Sequence, residues 1–313
     1  MENPLFSVVI PLYNKVDCIV ETLQSVLNQT LLPEEIIVVD DGSTDNSNGA
    51  VKGFIEKSEK VLNIQLLRQQ NGGVSLARNR GIELAKYPYI AFLDSDDLWK
   101  PPFLQRVAEL IKAYPDAGAY ASGYEYLDEI GNIRSPFFEN VPEKQGIIDY
   151  FRAIRGENPV CSSAVVIRKK VFEQVGMFPV GETMGEDIDT WCRIALSYSI
   201  AWTNENLAQY RITTQNRACG KRENLLKEHC IVKTLAKAVA RESDPEKMEL
   251  LQTYLESIYM LQARYRLLAD DIDGFKKEIA RLSFSRFYRK KLYYLQFLPN
   301  YIAKFLVKRF FGK

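Results

Sequence analysis

Two acidic clusters in this 313-residue chain could do chemistry: Asp40-Asp41 and Asp94-Ser95-Asp96-Asp97. Three carboxylates within four residues repel one another unless a cation joins them or solvent screens them. A divalent ion is the simplest such partner. Hard oxygen ligands on a short loop suit Mg²⁺ or Mn²⁺, which take one or two protein carboxylates and complete their shells from phosphates and water. Taken singly, each cluster reads more readily as a set of turn and helix caps. The chain has one histidine, His229, so neither a His-rich zinc site nor a Ser-His-Asp triad is expected, and acid-base work falls to carboxylates.

The elements that must position these acids follow from apolar patterning. Short apolar runs at Phe6 to Pro11, Glu35 to Asp40, Ile64 to Arg68 and Tyr89 to Leu93 predict strands buried on both faces. Helical segments at Val16 to Gln29 and Val74 to Leu84 fall between them, and Pro101-Pro102 suits the first turn of another helix. This alternation predicts an α/β fold with a Rossmann-like, mainly parallel sheet flanked by helices. Both acid clusters then follow strands, and ligands of such sheets bind beyond the carboxyl ends of strands. After strand one the chain reads Pro11-Leu12-Tyr13-Asn14, which excludes the GxGxxG dinucleotide turn and the glycine-rich phosphate loop expected of a nucleotidyltransferase. Runs at Ala117 to Tyr126 and Ser163 to Arg168 extend the sheet with less regular crossings, and Lys221 to Ala240 and Pro245 to Leu268 predict a C-terminal helical region.

SVVIPLYNK, IIVVDDGSTD, NGGVSLARNRG, YIAFLDSDDLW, and GEDIDTWCRIA with LAQYR occur in that order over roughly residues 5 to 217. Together they resemble the inverting family 2 glycosyltransferases, which have the GT-A fold and use nucleotide sugars. The resemblance implies that Pro11 and Tyr13 lie along the nucleobase and ribose, that Asp40 accepts from the base, and that Arg78 sits near the pyrophosphate. It implies Asp94 near ribose or sugar hydroxyls and Asp96 on the Mn²⁺ or Mg²⁺ that bridges the diphosphate. Asp187 takes the position of the catalytic base, with Glu186 shaping the acceptor side. One departure is plain: members often carry a metal-ligating histidine where Thr213 follows Tyr210-Arg211-Ile212.

Other roles are open for some of these residues. Glu186, Asp187 and Asp189 also suit the positive N-terminus of a helix running to Leu196, where Trp191 and Ile194 read as core residues. Trp99 either lines the sugar pocket on the acceptor side or anchors its loop. His229 reads as a capped or surface histidine. The resemblance makes the chain a glycosyltransferase that moves a sugar, expected from a UDP donor, to a glycan or lipid-linked acceptor in bacterial surface polysaccharide synthesis. The alternative is a sugar-nucleotide-binding scaffold without turnover.

The net charge of +1 conceals an uneven distribution. Residues 276 to 313 hold 11 Lys and Arg against one acid, Glu278, leaving −9 for residues 1 to 275. Aromatic residues interleave with these cations, so 284 to 313 reads either as an amphipathic segment for an anionic membrane surface or as a helical cap that buries its aromatics against the protein. Nucleic acid is not expected as a partner. The five cysteines show no CxxC spacing, and no run of about 18 apolar residues appears, so the expected location is cytoplasmic, peripheral on the inner face of the plasma membrane. The expected organisation is a catalytic domain over 1–217, a helical extension over 218–275 and a basic aromatic tail over 276–313.

Overall fold

A computed structural model of the chain describes residues 3–58, 63–154, 157–182, 184–212 and 226–282. It divides into two compact units, one of residues 1–182 and 186–216, the other of 183–185 and 217–313.

The first unit begins as alternating strands and helices: β1 (Phe6–Leu12), α1 (Ile19–Leu27), β2 (Glu35–Asp40), α2 (Ser47–Lys57), β3 (Asn63–Arg68), α3 (Val74–Leu84) and β4 (Tyr89–Phe92). It continues with β5 (Leu98–Trp99), α4 (Phe103–Ala113), β6 (Ala119–Leu127), β7 (Ile133–Arg134), β8 (Gln145–Ile148), α5 (Tyr150–Ala153), β9 (Val165–Arg168), α6 (Val171–Val175), α7 (Glu186–Ser197) and β10 (Ile200–Arg211). The strands form one sheet in the order β3-β2-β1-β4-β9-β6-β10-β5, with β7 on β6 and β8 on β10. From β3 to β4 all pairings are parallel, as the alternation predicts. Beyond β4 the sheet turns mixed: β9 runs antiparallel to both β4 and β6, while β6 and β10 are parallel. The parallel half therefore ends its strands at one edge, where the acidic loops emerge.

Both faces are covered at β1 and β2, whereas β3, expected to be buried on both faces, is only half-buried because it forms the edge of the sheet. Phe6, Val8, Ile10 and Leu12 of β1 pack with Ile19 and Leu23 of α1 and with Leu104 and Val107 of α4. On β1 the remaining buried side chains alternate to the opposite face, where α3 packs. Its approach is close: a Cβ at Gly81 would lie 2.3 Å from Val9 Cγ1. Phe178 meets Phe92 and Trp191 edge to face, so Trp191 is a core residue, and Ile194 is fully buried too. Pro11 is tolerated within β1 because β4 pairs only as far as Val9, leaving no ladder partner that needs its missing N–H.

The second unit contains α8 (Ile231–Arg241), α9 (Pro245–Leu268) and α10 (Ile272–Ala280). Asp244 caps α9 by accepting from the Glu246 N–H, and Pro245 occupies the first turn. Ala263 and Leu267 of α9 bury themselves against Phe275 and Ile279 of α10. The expected boundary at 275/276 falls inside α10, because Ile279 and Leu282 belong to that apolar contact. His229, expected as a capped or surface histidine, instead packs its ring on Gly185, where an added Cβ would fall 1.6 Å from Cε1. The expected membrane segment 284–313 and Thr213 lie outside the described residues. Among the described residues, no helix is long and apolar enough to cross a membrane.

The α3 contact yields a stability prediction. Gly81→Ala gains helix propensity, roughly 1 kcal/mol, but drives a methyl into a stiff, fully buried valine, an overpacking cost of roughly 1 to 3 kcal/mol. Urea denaturation should show a net loss of stability, and a variant as stable as the parent would show that α3 shifts off β1 freely.

Candidate functional site

The loops after β1, β2 and β4 are knitted together at the carboxyl edge of the sheet. Asn14, at φ 51°, donates its backbone N–H to Ser43 Oγ and accepts from the Thr44 N–H at 2.7 Å. Lys15 donates its backbone N–H to Ser47 Oγ. Asp41, almost fully buried, accepts from Gly72 and Gly73 N–H and from Gln69 Nε2, which fixes the glycine turn ahead of α3. Gly73 sits at φ 90°, a conformation that glycine adopts without strain.

Arg78 joins the loop after β4 to the start of α7. Its guanidinium donates to Asp94 Oδ1 at 2.8 Å and to Glu186 Oε1 at 3.0 Å, and its side chain is only 4% exposed. It also lies 5.3 Å from the ring centre of Phe178. Burial alone would lower its pKa; the charges of Asp94, Glu186 and Asp187 outweigh burial and raise it, so Arg78 is a permanent cation. Glu186 is pushed up to about 7, first by burial and then by the negative charge of Asp187, while Arg78 pulls it back down.

Within the Asp94 to Asp97 loop the carboxylates have different surroundings. Asp94 remains a quarter exposed beside Arg78. Asp96 Oδ2 lies 2.7 Å from Lys15 Nζ. Asp97 is buried, accepting from Ser163 Oγ and from the Arg211 backbone N–H, and burial together with Asp96 and Asp94 raises its pKa well above the usual range. The loop backbone is held from below, since Thr22 Oγ1 of α1 donates to the carbonyls of Ser95 and Asp97. Asp187 is half-buried at the head of α7 and accepts from Ser162 Oγ at 3.2 Å.

Residues expected at the site thus separate into two groups. Asp94, Asp96, Arg78, Glu186 and Asp187 are joined through Arg78, Lys15 and the serines at 162 and 163. Tyr13 is 41% exposed at the end of β1, with a face available to a ligand. Trp99 is not on an acceptor surface: it is 4% exposed, donates Nε1–H to the Ser163 carbonyl and stacks on Phe103 at 4.4 Å, so it anchors its loop. Asp40 has no exposed surface, and its oxygens accept from Ser43 N–H and Asn48 Nδ2 beside Arg68. In this conformation Asp40 shapes the loop rather than presenting an acceptor to a base. Pro11 is likewise buried in β1.

Sequence reasoning passed over Lys15, Ser162, Ser163 and Arg211 as participants. For Lys15 a signal existed: a lone cation leaves strand one while acids leave strands two and four. For the serines there was none, because tandem Ser in a loop is common and only the fold shows what their hydroxyls meet. A divalent ion fits Asp96 only in part. That residue supplies one hard oxygen next to a lysine, and among the described residues no group of three or more His, Cys, Asp or Glu side chains could hold a metal. The remaining ligands would have to come from phosphate and water.

A half-parallel α/β sheet with acidic loops and a half-buried carboxylate at its carboxyl edge is the arrangement in which α/β enzymes bind their ligands. The family model described as Glycosyl transferase family 2 matches residues 7–176. The glycosyltransferase GlyG of Streptococcus pneumoniae is 31% identical over 220 residues, 67% of this chain and 71% of that protein. TuaG of Bacillus subtilis, named for teichuronic acid biosynthesis, is 31% identical over 221 residues, covering 70% of this chain and 83% of its own. The chain belongs to the family 2 glycosyltransferases and is a transferase enzyme. In fold it is similar to residues 1–349 of S. aureus TarS crystallised with UDP-GlcNAc, with a TM-score of 0.69, 18% identity, and coverage of 96% of this chain and 88% of that one.

The Glu186 environment gives a pH prediction. A carboxyl raised above its ordinary value of 4.5 contributes stability that is complete below that value and lost as pH rises through about 7. Carboxyl-carbon NMR should place the Glu186 midpoint near neutrality, and Arg78→Gln should move it upward by removing the one charge that lowers it. A midpoint that stays or falls in the variant would show that Arg78 does not act on Glu186.

Proposed function

We propose that the protein transfers a sugar from a nucleotide donor, UDP-linked, to a hydroxyl of a glycan or lipid-linked acceptor by single displacement with inversion, in bacterial surface polysaccharide synthesis. The observation that carries this reading is the arrangement of Asp187: a half-buried carboxylate at the head of α7 that accepts from Ser162, whose neighbour Ser163 meets the Asp94–Asp97 loop, while Arg78 bridges the adjacent Glu186 to Asp94. The UDP-GlcNAc and UDP held by TarS crystals support a nucleotide-sugar donor, and the name of TuaG supports a surface polysaccharide.

On this reading Tyr13 offers its exposed face to the nucleobase. Lys15 and Arg78 supply the fixed positive charges nearest the Asp94–Asp97 loop, where the diphosphate is expected. Asp96 is the residue that would hold Mn²⁺ or Mg²⁺, whose charge would stabilise the leaving diphosphate. As the anomeric carbon gains positive character, Asp187 takes the proton of the acceptor hydroxyl on the face opposite the leaving group, a contribution of roughly 10² to 10⁴ in rate. Among the described residues the other carboxylates at this edge are engaged elsewhere: Glu186 and Asp94 pair with Arg78, Asp96 pairs with Lys15, and Asp97 accepts from Ser163 and Arg211. Inversion follows from that single attack. The basic aromatic segment 284–313 would hold the enzyme to the inner face of the plasma membrane, where a lipid-linked acceptor presents its hydroxyl.

UDP release from a panel of UDP-sugars with Mn²⁺ and candidate acceptors tests the chemistry. Asp187→Asn should cut turnover by roughly 10² to 10⁴ while UDP still binds, and an Asn variant as active as the parent rules Asp187 out as the base. Deleting residues 284–313 should shift the protein from the membrane pellet to the supernatant, whereas unchanged pelleting removes that segment as the anchor.

A further inference from the structure

One short turn connects the catalytic edge from both sides. Residues Ser162–Ala164 form a single 3-10 turn leading into β9, and both serines are buried. Ser162 Oγ lies 3.2 Å from Asp187 Oδ2. Ser163 Oγ contacts the Asp97 carboxylate and accepts from the Asp94 N–H at 3.1 Å, while its carbonyl accepts from Trp99 Nε1. A hydroxyl has one proton to give, and Ser162 donates it to Asp187 Oδ2. Ser163 spends its proton on Asp97 and a lone pair on Asp94, which uses its bonding capacity consistently.

The turn itself has little freedom. β9 is hydrogen-bonded on one side to β4 and on the other to β6, and Ala164 N–H closes the turn on the Cys161 carbonyl at 2.9 Å. Consecutive Cα atoms lie about 3.8 Å apart, so two neighbouring hydroxyls on a fixed turn form a ruler of set length. One end of that ruler is Asp187; the other is the loop of Asp94 and Asp97.

We propose that Ser162 and Ser163 are positioning residues for glycosyl transfer. Ser162 holds the Asp187 carboxylate in the rotamer that meets the acceptor hydroxyl, and Ser163 holds the Asp94–Asp97 loop at the matching distance. Neither serine touches the reacting atoms. The pair sets the separation between base and leaving group, where an error of about 1 Å costs on the order of 10²-fold in rate. This inference rests on the reading of Asp187 as the base.

The experiment compares the full-length parent with Ser162→Ala, Ser163→Cys and Asp187→Asn, using UDP-GlcNAc turnover, UDP calorimetry and crystal structures of each variant. Ser163→Cys keeps the branching of the side chain, adds the slightly larger sulfur and weakens the donor. Losing a hydrogen bond to a charged group predicts a fall in kcat of roughly 10- to 100-fold for Ser162→Ala, with the UDP Kd within twofold of the parent. Ser163→Cys should weaken UDP binding several-fold. In the Ser162→Ala crystal the Asp187 side chain should leave its rotamer while α7 stays in place. An unmoved Asp187, a kcat within twofold of the parent, or equal losses in kcat and UDP affinity would each overturn the proposal. If Asp187→Asn keeps parental turnover, the base assignment has failed instead. The Asp187 rotamer in the Ser162→Ala crystal decides the positioning claim even where UDP-GlcNAc is not a substrate.

Discussion

A guanidinium buried away from water must find its counter-charges inside the protein, and Arg78 finds them on two separate stretches of chain. Asp94 comes from the loop after β4 and Glu186 from the first turn of α7, 92 positions later. Desolvating such a charge costs several kcal/mol, and leaving either carboxylate behind after removing the arginine costs roughly 3 to 5 kcal/mol. The loop after β4 and the head of α7 are therefore obliged to meet as the fold closes. Placement of Arg78 follows from α3, whose Gly81 brings the helix onto Val9 of β1 and points the earlier turn at the carboxyl edge of the sheet. A packing decision made by a glycine thus fixes an electrostatic contact at the site.

The parallel half of the fold was legible because its residues obey one rule at a time. β2 and α3 fall at the bounds that apolar patterning assigns, and α9 runs over the predicted Pro245 to Leu268. β10 was not legible: its pairing with β6 shifts register between Thr203 and Asn206 and again before Ala208, which breaks the period of two that a strand reading needs. β5 has two residues and no pattern to read. At the site, the acid clusters were visible as composition, but the surroundings that separate them are long-range. Nothing local distinguishes Asp97 from Asp96; Ser163 and Arg211, 66 and 114 positions away, close off one and leave the other beside Lys15. The choice between the two readings of Trp99, and the burial of Asp40, were out of reach for the same reason, since burial of a loop residue is decided by the distant elements that pack over it.

That separation changes what an acidic cluster means here. Of the carboxylates at this edge, Asp40, Asp41 and Asp97 direct their oxygens at backbone N–H groups and neighbouring side chains, and so hold loops in place. They are structural acids whose hydrogen-bonding capacity the chain itself uses. Asp94, Asp96 and Asp187 are partly exposed, with Asp94 beside Arg78 and Asp96 beside Lys15. A cation recruited to Asp96 meets one carboxylate and a competing ammonium. On the proposed function a divalent ion would be held by Asp96 together with oxygens of the donor diphosphate, and the same diphosphate would give Lys15 an anion to pair with. Donor and metal affinities should then be coupled, because each supplies what the other needs at Asp96.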